Sequence, residues 1–354
     1  MNTYLFLQKL ETLKKRPSAF LPAVEAIQRW VLEFEKTLQK QRISPVKVAR
    51  YANLSVNQVV PEFLYGVLDG LFDLNWEVHC PQCHTITKDY QQLSKASSLS
   101  YCENCEKEFE ADFARWIEVT FSLNKEIDDR KFTPLCAKDF ASPPLLSGLE
   151  LIHYPIFRTL FGDQVLSERE QMQIASVTVL FTDITGSTEM YEKLGDVVAY
   201  NIVRDHFDIL FNQIEKQGGT ILKTIGDAVM ASFICNELAL RAIIDALEQF
   251  RQYNNNHCTD EQVHIKIGIH RGAAILVNLN ERLDYFGSTI NKAARIQAVA
   301  ESGEICFSEQ VYQDSVFMQS LKEQGIKNIT RHSVNLKGID GPQTVYKISR
   351  SLPR

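Results

Sequence analysis

Between Ser176 and Lys216 an apolar run ends on an aspartate, turns through small hydroxyl residues and re-emerges with helical spacing. Val-Thr-Val-Leu-Phe-Thr-Asp is rich in β-branched and aromatic residues, which predicts a strand over 177–183. Ile184-Thr185-Gly186-Ser187-Thr188 then opens a long helix over 188–216. After Gly218-Gly219 a strand pair follows, with Gly226-Asp227 at its tight turn. A helix over 236–253, a strand over 263–269 and a helix over 289–300 follow. Strands interleaved with helices and including a hairpin predict an α+β sandwich, with helices on one face of a mostly antiparallel sheet.

The 354 residues exceed one small core, so two domains are expected. With 45% hydrophobic and 23% charged residues the composition is that of a soluble globular protein. A net charge of −6 argues against a general nucleic-acid or membrane-surface binder. The chain shows no apolar run of the ~20 residues that cross a bilayer and no signal-peptide core, which places it in the cytoplasm by expectation.

The first half reads differently. Helical spacing covers Tyr4 to Lys15 and Ala23 to Gln41, and Ser44-Pro45 caps a short helix to about Ala52. A turn at 53–56, a helix ending near Gly70 and a strand at 74–79 complete a winged-helix-like order. Residues 1–60 hold ten Lys or Arg against four Glu. The would-be recognition helix, Asn57 to Asp69, carries neither Lys nor Arg, which argues against nucleic acid as a partner and for packing in a core or docking on a partner. Arg115 to Leu123 reads as a strand, and Pro134 with Pro143-Pro144 as a loop. The expected organisation is a regulatory domain over 1–145, a connector over 146–175 and a catalytic domain over 176–354.

Cys80, Cys83, Cys102 and Cys105 form two C-x-x-C pairs with eighteen residues between them, the spacing of a four-cysteine zinc ribbon. Four thiolates close the coordination sphere, so such a Zn²⁺ is structural. His79 and His84 are read as surface residues, and Cys136, Cys235, Cys258 and Cys306 as packing residues.

Asp183 and Asp227, forty-four positions apart, both fall at strand ends beside turns. A carboxylate pair next to a turn rich in free N–H groups and hydroxyls makes a site for Mg²⁺ and phosphate. Each aspartate taken alone also reads as a helix cap or a turn former.

Four ordered blocks decide between these readings: 180–188, 223–231, 267–272 (Ile-Gly-Ile-His-Arg-Gly) and 284–295 (Asp-Tyr-Phe-Gly-Ser-Thr-Ile-Asn-Lys-Ala-Ala-Arg). Together they resemble the class III nucleotidyl cyclases, most closely bacterial adenylate cyclases, across roughly 176–348. The resemblance implies a ferredoxin-like catalytic domain in which Asp183, Asp227 and the Ile184 carbonyl hold two Mg²⁺ (or Mn²⁺) ions. The turn Thr185, Gly186, Ser187 and Thr188 faces the phosphates. Lys223 and Asp284 fall where the family reads the purine, and their chemistry suits adenine: Lys donates to N1 and Asp accepts from N6. Asn291 and Arg295 match the family's transition-state pair, and Lys337 its triphosphate lysine. Ala273 stands where several relatives carry an arginine, with Arg271 on the other side of Gly272.

One catalytic domain carrying both residue sets implies a homodimer with two equivalent sites. The expected activity is conversion of ATP to cyclic AMP and pyrophosphate. Residues 1–145 resemble an uncharacterised domain found beside some bacterial cyclases, which implies regulation. The competing classes are a cyclase of another base specificity and a silent nucleotide-sensing or transcription module.

Overall fold

The computed structural model describes residues 1–37, 42–130 and 146–349. They form two compact units, Met1–Gln173 with Leu276–Leu283, and Ile174–Ile275 with Asp284–Arg354.

The first unit opens with helices α1 (Thr3–Lys14), α2 (Leu21–Glu33), α3 (Pro45–Ala52) and α4 (Val56–Leu68). Proline at the first position starts α3, and Asn53 in the left-handed region (φ 54°) ends it. The helix expected to reach Gln41 stops at Glu33. There Trp30 and Phe34 pack at 4.5 Å and the Tyr51 ring meets both edge-on, so tertiary packing turns the chain before the helical pattern ends. Residues 38–41 lie outside the described residues, as do Cys136 and the loop expected around Pro134 and Pro143-Pro144. The Lys- and Arg-free helix α4 packs in the core: Val59, Val60, Phe63 and Leu64 are buried, and Phe63 stacks on Phe121 at 4.7 Å.

Strands β1 (Phe72–His79), β2 (Ile86–Tyr90), β5 (Ile117–Leu123) and β6 (Leu146–Ser147) form a sheet in the order β2-β1-β5-β6. A separate ribbon pairs β3 (Leu99–Cys102) with β4 (Lys107–Glu110). The stretch expected as a connector is built into this unit. Its helices α5 (Gly148–Ile152) and α6 (Pro155–Leu160) bury Leu149, Leu151 and Phe157, and Phe157 meets Trp76 edge-on at 5.9 Å. An apolar segment of this density is core, whatever its position between domains.

In the second unit β7 (Gln171–Ile184) leads through α7 (Ser187–Leu194) and α8 (Asp196–Lys216) to the hairpin β8 (Thr220–Ile225) and β9 (Ala228–Phe233). The single helix expected over 188–216 is two, because Gly195 adopts φ 76°, ψ 161°, outside any helical conformation. Next come α9 (Asn236–Asn255), β10 (Ile265–Leu279), β11 (Arg282–Phe286) and α10 (Ser288–Ala298). The unit closes with β12 (Glu304–Ser308), α11 (Glu309–Tyr312), α12 (Ser315–Glu323), β13 (Thr330–Asn335) and β14 (Pro342–Ser349). The sheet order is β13-β14-β12-β10-β7-β9-β8, with β11 paired to β10.

Side chains alternate across this sheet. Ile305, Phe307, Tyr346 and Ile348 join Leu180, Ile184 and residues of α8, α9 and α12 in the main core. Cys306 and Val345 point the other way, onto Ile296 of α10 and Ala300. Helices therefore cover one face, as expected, but α10 sits on the opposite one. Among the described residues no helix is long and apolar enough to cross a membrane.

Candidate active site and metal centre

Register brings the two aspartates together. Strands β7 and β9 are antiparallel neighbours with Thr182 opposite Val229, so Asp227, two residues before Val229, falls beside Ile184. The Asp227 Oδ2 accepts a hydrogen bond from the Ile184 N–H at 3.1 Å. Gly226, at φ 64°, supplies the left-handed turn residue that presents Asp227 at the hairpin tip. Strand β7 is buried on both faces from Val177 to Thr182, and Asp183, near its end, is half-buried beside buried Ile184. Burial pushes the Asp183 carboxyl above its ordinary pKa and the Asp227 charge pushes it further, against the pull of Lys266 and of a Gln297 hydrogen bond. A half-buried carboxylate whose ionisation is disfavoured by burial and by a neighbouring carboxylate is suited to a divalent cation. The buried Thr185 Oγ1 next to them has no hydrogen-bond partner.

The turn after Asp183 is pinned where Thr185 N donates to the His264 carbonyl at 2.8 Å. Gly186, at φ 72°, starts α7 with no side chain capping its first turn, which leaves that helix end open to an anion.

Lys223 and Asp284 also meet. The ammonium lies 2.5 Å from Asp284 Oδ2 and 5.6 Å from the centre of the exposed Phe286 ring. Asp284 is buried, and its Oδ1 accepts from the Tyr285 N–H at 2.8 Å.

Asn291 and Arg295 are exposed on α10, one turn apart. Among the described residues neither Arg295 nor Lys337 forms an ion pair. Lys337 is exposed in the turn after β13, between buried Leu336 and Gly338 at φ 79°. Arg271 donates from Nε to Ser176 Oγ at 2.7 Å. Sequence reasoning missed Gln297, Lys266 and Phe286. The one available signal was spacing: Phe286 lies two residues beyond Asp284, on the same face of β11.

In the first unit the four cysteine sulfurs all lie within 4.8 Å of one another, with Cys80–Cys105 at 3.9 Å and Cys83–Cys102 at 3.5 Å. Thiolates ~2.3 Å from a tetrahedral Zn²⁺ stand about 3.8 Å apart, so the set fits that ion. His84 and Glu106, directly after Cys83 and Cys105, take left-handed φ of 57° and 51° and turn each knuckle back. Cys306 is buried, whereas Cys235 is half-buried and Cys258 exposed, so packing does not account for Cys258.

His79 is buried, contrary to its expected surface position, because β1 is covered on both sides by β2 and β5. Its Nδ1 faces the His84 carbonyl at 3.2 Å, while Nε2 faces Glu77 at 3.4 Å and Glu118 at 3.0 Å. Burial opposes protonation, but these acceptors outweigh it and raise the His79 pKa. With Arg42 on Glu77 at 3.2 Å, this is a buried ion network bracing the first knuckle.

Residues 170–350, half of the chain, match the model of the adenylate and guanylate cyclase catalytic domain. Residues 7–141 match a family of unknown function, DUF5939. An adenylate cyclase of Neurospora crassa is 25% identical over 219 residues, covering 49% of this chain and 10% of the relative. One of Anabaena cylindrica is 30% identical over 186 residues, covering 49% and 36%. The chain thus spans about a tenth to a third of these relatives' lengths. The solved adenylyl cyclase CyaB of P. aeruginosa aligns at 25% identity with a TM-score of 0.41, over 51% of this chain and 97% of that one.

Proposed function

The chain belongs to the family of the adenylate and guanylate cyclase catalytic domain, and we propose that it converts ATP to 3′,5′-cyclic AMP and pyrophosphate at sites shared by two copies. The observation that carries the choice of ATP is the Lys223–Asp284 pair, 2.5 Å apart on β8 and β11. The two side chains present one donor and one acceptor side by side, the complement of adenine N1 and N6. Guanine presents the reverse, an N1–H and an O6, and would leave both groups unmatched.

Asp183 and Asp227, with the Ile184 carbonyl, would hold two Mg²⁺ or Mn²⁺ ions. Such ions, when bound, neutralise triphosphate charge and favour the alkoxide form of the ribose 3′-hydroxyl. The Asp227 charge acting on Asp183 and the orphaned Thr185 hydroxyl support a cation and a phosphate oxygen here. The open first turn of α7, from Thr185 and Gly186 through Ser187 and Thr188, receives phosphate oxygens on its N–H groups. Asn291 orients the ribose, and Arg295 stabilises the charge that gathers on the α-phosphoryl oxygens. Lys337 holds the triphosphate. The 3′-hydroxyl loses its proton to solvent, its oxygen bonds to the α-phosphorus, the bond from the α-phosphorus to the oxygen bridging the β-phosphorus breaks, and pyrophosphate leaves with that oxygen.

Helix geometry supports a site assembled from two chains. Successive residues turn by about 100°, so Gln297, which lies against Asp183, is about 200° around α10 from Arg295. The face of α10 directed at its own metal carboxylate is thus not the face bearing Asn291 and Arg295. In a symmetric pair that second face serves the partner's carboxylates. We assign Cys80, Cys83, Cys102 and Cys105 to a structural Zn²⁺ and the unit that contains them to regulation of the cyclase.

The test is product identification from the purified full chain, given each of the four nucleoside triphosphates with Mg²⁺ or Mn²⁺. Cyclic AMP from ATP, abolished by Asp183→Ala and lost in favour of other products or none with Lys223→Glu, is expected. Activity unchanged by Asp183→Ala, or preference for GTP by the native chain, refutes the assignment.

A further inference from the structure

Lys292 follows Asn291 on α10 but is half-buried, and its ammonium donates to Gln343 Oε1 at 2.9 Å, fifty-one residues further along the chain. The Gln343 Nε2 donates in turn to the main-chain carbonyls of Asp340 at 3.2 Å and Gly341 at 3.4 Å. An ammonium only donates and a carbonyl only accepts, so a single orientation of the amide satisfies all three contacts. The segment held in this way is the turn that carries Lys337: β13 and β14 pair as far as Asn335 with Pro342, and residues 336–341 join them. Gly338 and Gly341 take φ of 79° and 71° in that turn, each with open space around it. Buried Leu336 sits with Ile296 and Ala300, Ile339 packs against that cluster, and the Ile339 N–H donates to the Leu336 carbonyl at 3.0 Å. Apolar contact of this kind fixes the base of the turn without giving it a direction, whereas the Gln343 hydrogen bonds are directional. The helix they reach is itself seated tightly, because a Cβ built on Gly268 of β10 would overlap the Gln297 main chain, an approach that only glycine allows.

We propose that Lys292 and Gln343 are positioning residues whose hydrogen bonds strap the Lys337 turn to α10, so that Lys337, Asn291 and Arg295 meet the nucleotide as one preset group. The inference rests on the roles proposed above for those three residues. A lysine on an unstrapped, glycine-bearing turn must be ordered each time a triphosphate arrives, and that ordering is subtracted from the binding free energy. The strap removes the cost beforehand. It also gives the Lys292 charge a use other than phosphate binding, since its ammonium is directed at an amide oxygen.

The experiment is a double-mutant cycle on the full chain, with kcat/KM for cyclic AMP formation from ATP and Mg²⁺ as the readout. Lys337→Ala is expected to lower kcat/KM by about 10- to 150-fold, the worth of a hydrogen bond to a charged group. Gln343→Ala and Lys292→Met are each expected to lower it by roughly tenfold, inside the ~10²-fold cost of a 1 Å misplacement. Lys292→Arg, which still donates, should keep most of the native value. In the Lys337→Ala background the same two strap variants should cost less than about twofold more, because the residue they position is gone. A merely structural loss, or a direct contact of Lys292 with phosphate, would instead multiply in full with Lys337→Ala. Full multiplication, or strap variants with native kcat/KM, overturns the strap while Lys337 keeps its role. Native kcat/KM in Lys337→Ala, beside an inactive Asp183→Ala chain, overturns the Lys337 assignment and the strap with it. A native chain that makes no cyclic nucleotide overturns the cyclase reading and the strap together.

Discussion

Gly268→Ala tests the seating of α10 most directly. The added methyl would sit 2.3 Å from the Gln297 nitrogen, 2.6 Å from its Cα and 2.6 Å from its Cβ, against the 3.4 Å at which ordinary contact begins. Two of those three atoms are main chain, so no rotamer change relieves the clash, and the helix must move by about 1 Å relative to the strand. Overpacking of this kind costs ~1–3 kcal/mol. In a domain of this size each kcal/mol lowers Tm by about 2–4 °C. On the proposed assignment of Arg295 the catalytic effect should be larger, since Arg295 travels with the helix and a 1 Å misplacement of a catalytic group costs about 10²-fold in rate. Differential scanning calorimetry and the initial rate of cyclic AMP formation measure the two effects. Adding Gln297→Ala should not rescue the variant, because the clashing nitrogen, Cα and Cβ all remain. A Gly268→Ala protein with unchanged Tm and unchanged kcat would refute the reasoning.

Cys83→Ser should lower bound zinc from one ion per chain to none, read by elemental analysis after dialysis, and should lower the stability of the first unit; full zinc retention sinks the ribbon assignment. The chain should also lose stability in acid through His153 and His270, whose pKa values burial lowers to about 4. Because the folded value lies below the unfolded ~6.5, the unfolded chain binds the proton first as pH falls; the stabilisation is complete above ~6.5 and gone near 4, worth roughly 3 kcal/mol per histidine at most. Urea midpoints between pH 7 and 4 measure it, and His153→Gln should flatten the profile; an identical slope in that variant would refute the attribution.

The strand-end positions of Asp183 and Asp227 were legible because their signals are local, whereas Lys223, Asp284, Asn291 and Arg295 were reached only through the family resemblance. Tight-turn chemistry located Asp227, strand composition located Asp183, and neighbouring strands with Thr182 opposite Val229 did the rest. Lys223 and Asp284 stand sixty-one residues apart in the chain and meet at 2.5 Å. What was missed is tertiary in origin. The face of the sheet that α10 covers depends on which strands neighbour β12, and no periodicity in residues 289–300 records that. Residues 146–175 read as a connector after a proline-rich stretch, yet Leu149, Leu151 and Phe157 are buried. His79 reads as a surface residue in the sequence because its partner Glu118 becomes a neighbour only once β1 and β5 pair.

If Lys223 and Asp284 read the base as proposed, selectivity arises from a competition with their own ion pair. Without nucleotide, Lys223 donates to Asp284 Oδ2 at 2.5 Å, and Asp284 keeps its other oxygen on the Tyr285 N–H. A purine must therefore compete with an existing ion pair, one whose aspartate is buried and whose lysine is about a third exposed. Adenine can do so without leaving either group unmatched, since it offers an acceptor to the ammonium and a donor to the carboxylate. Guanine would separate the pair and then set N1–H against a cation that only donates and O6 against an anion that only accepts. Hydrogen bonds to charged groups contribute ~1.5–3 kcal/mol each, so losing one or both disfavours the wrong base by about 10- to 10⁴-fold. On this reading the contact that fixes Lys223 in the free protein is also the barrier the wrong base fails to cross. Lys223→Glu removes both at once, which is why its product spectrum is more informative than its rate.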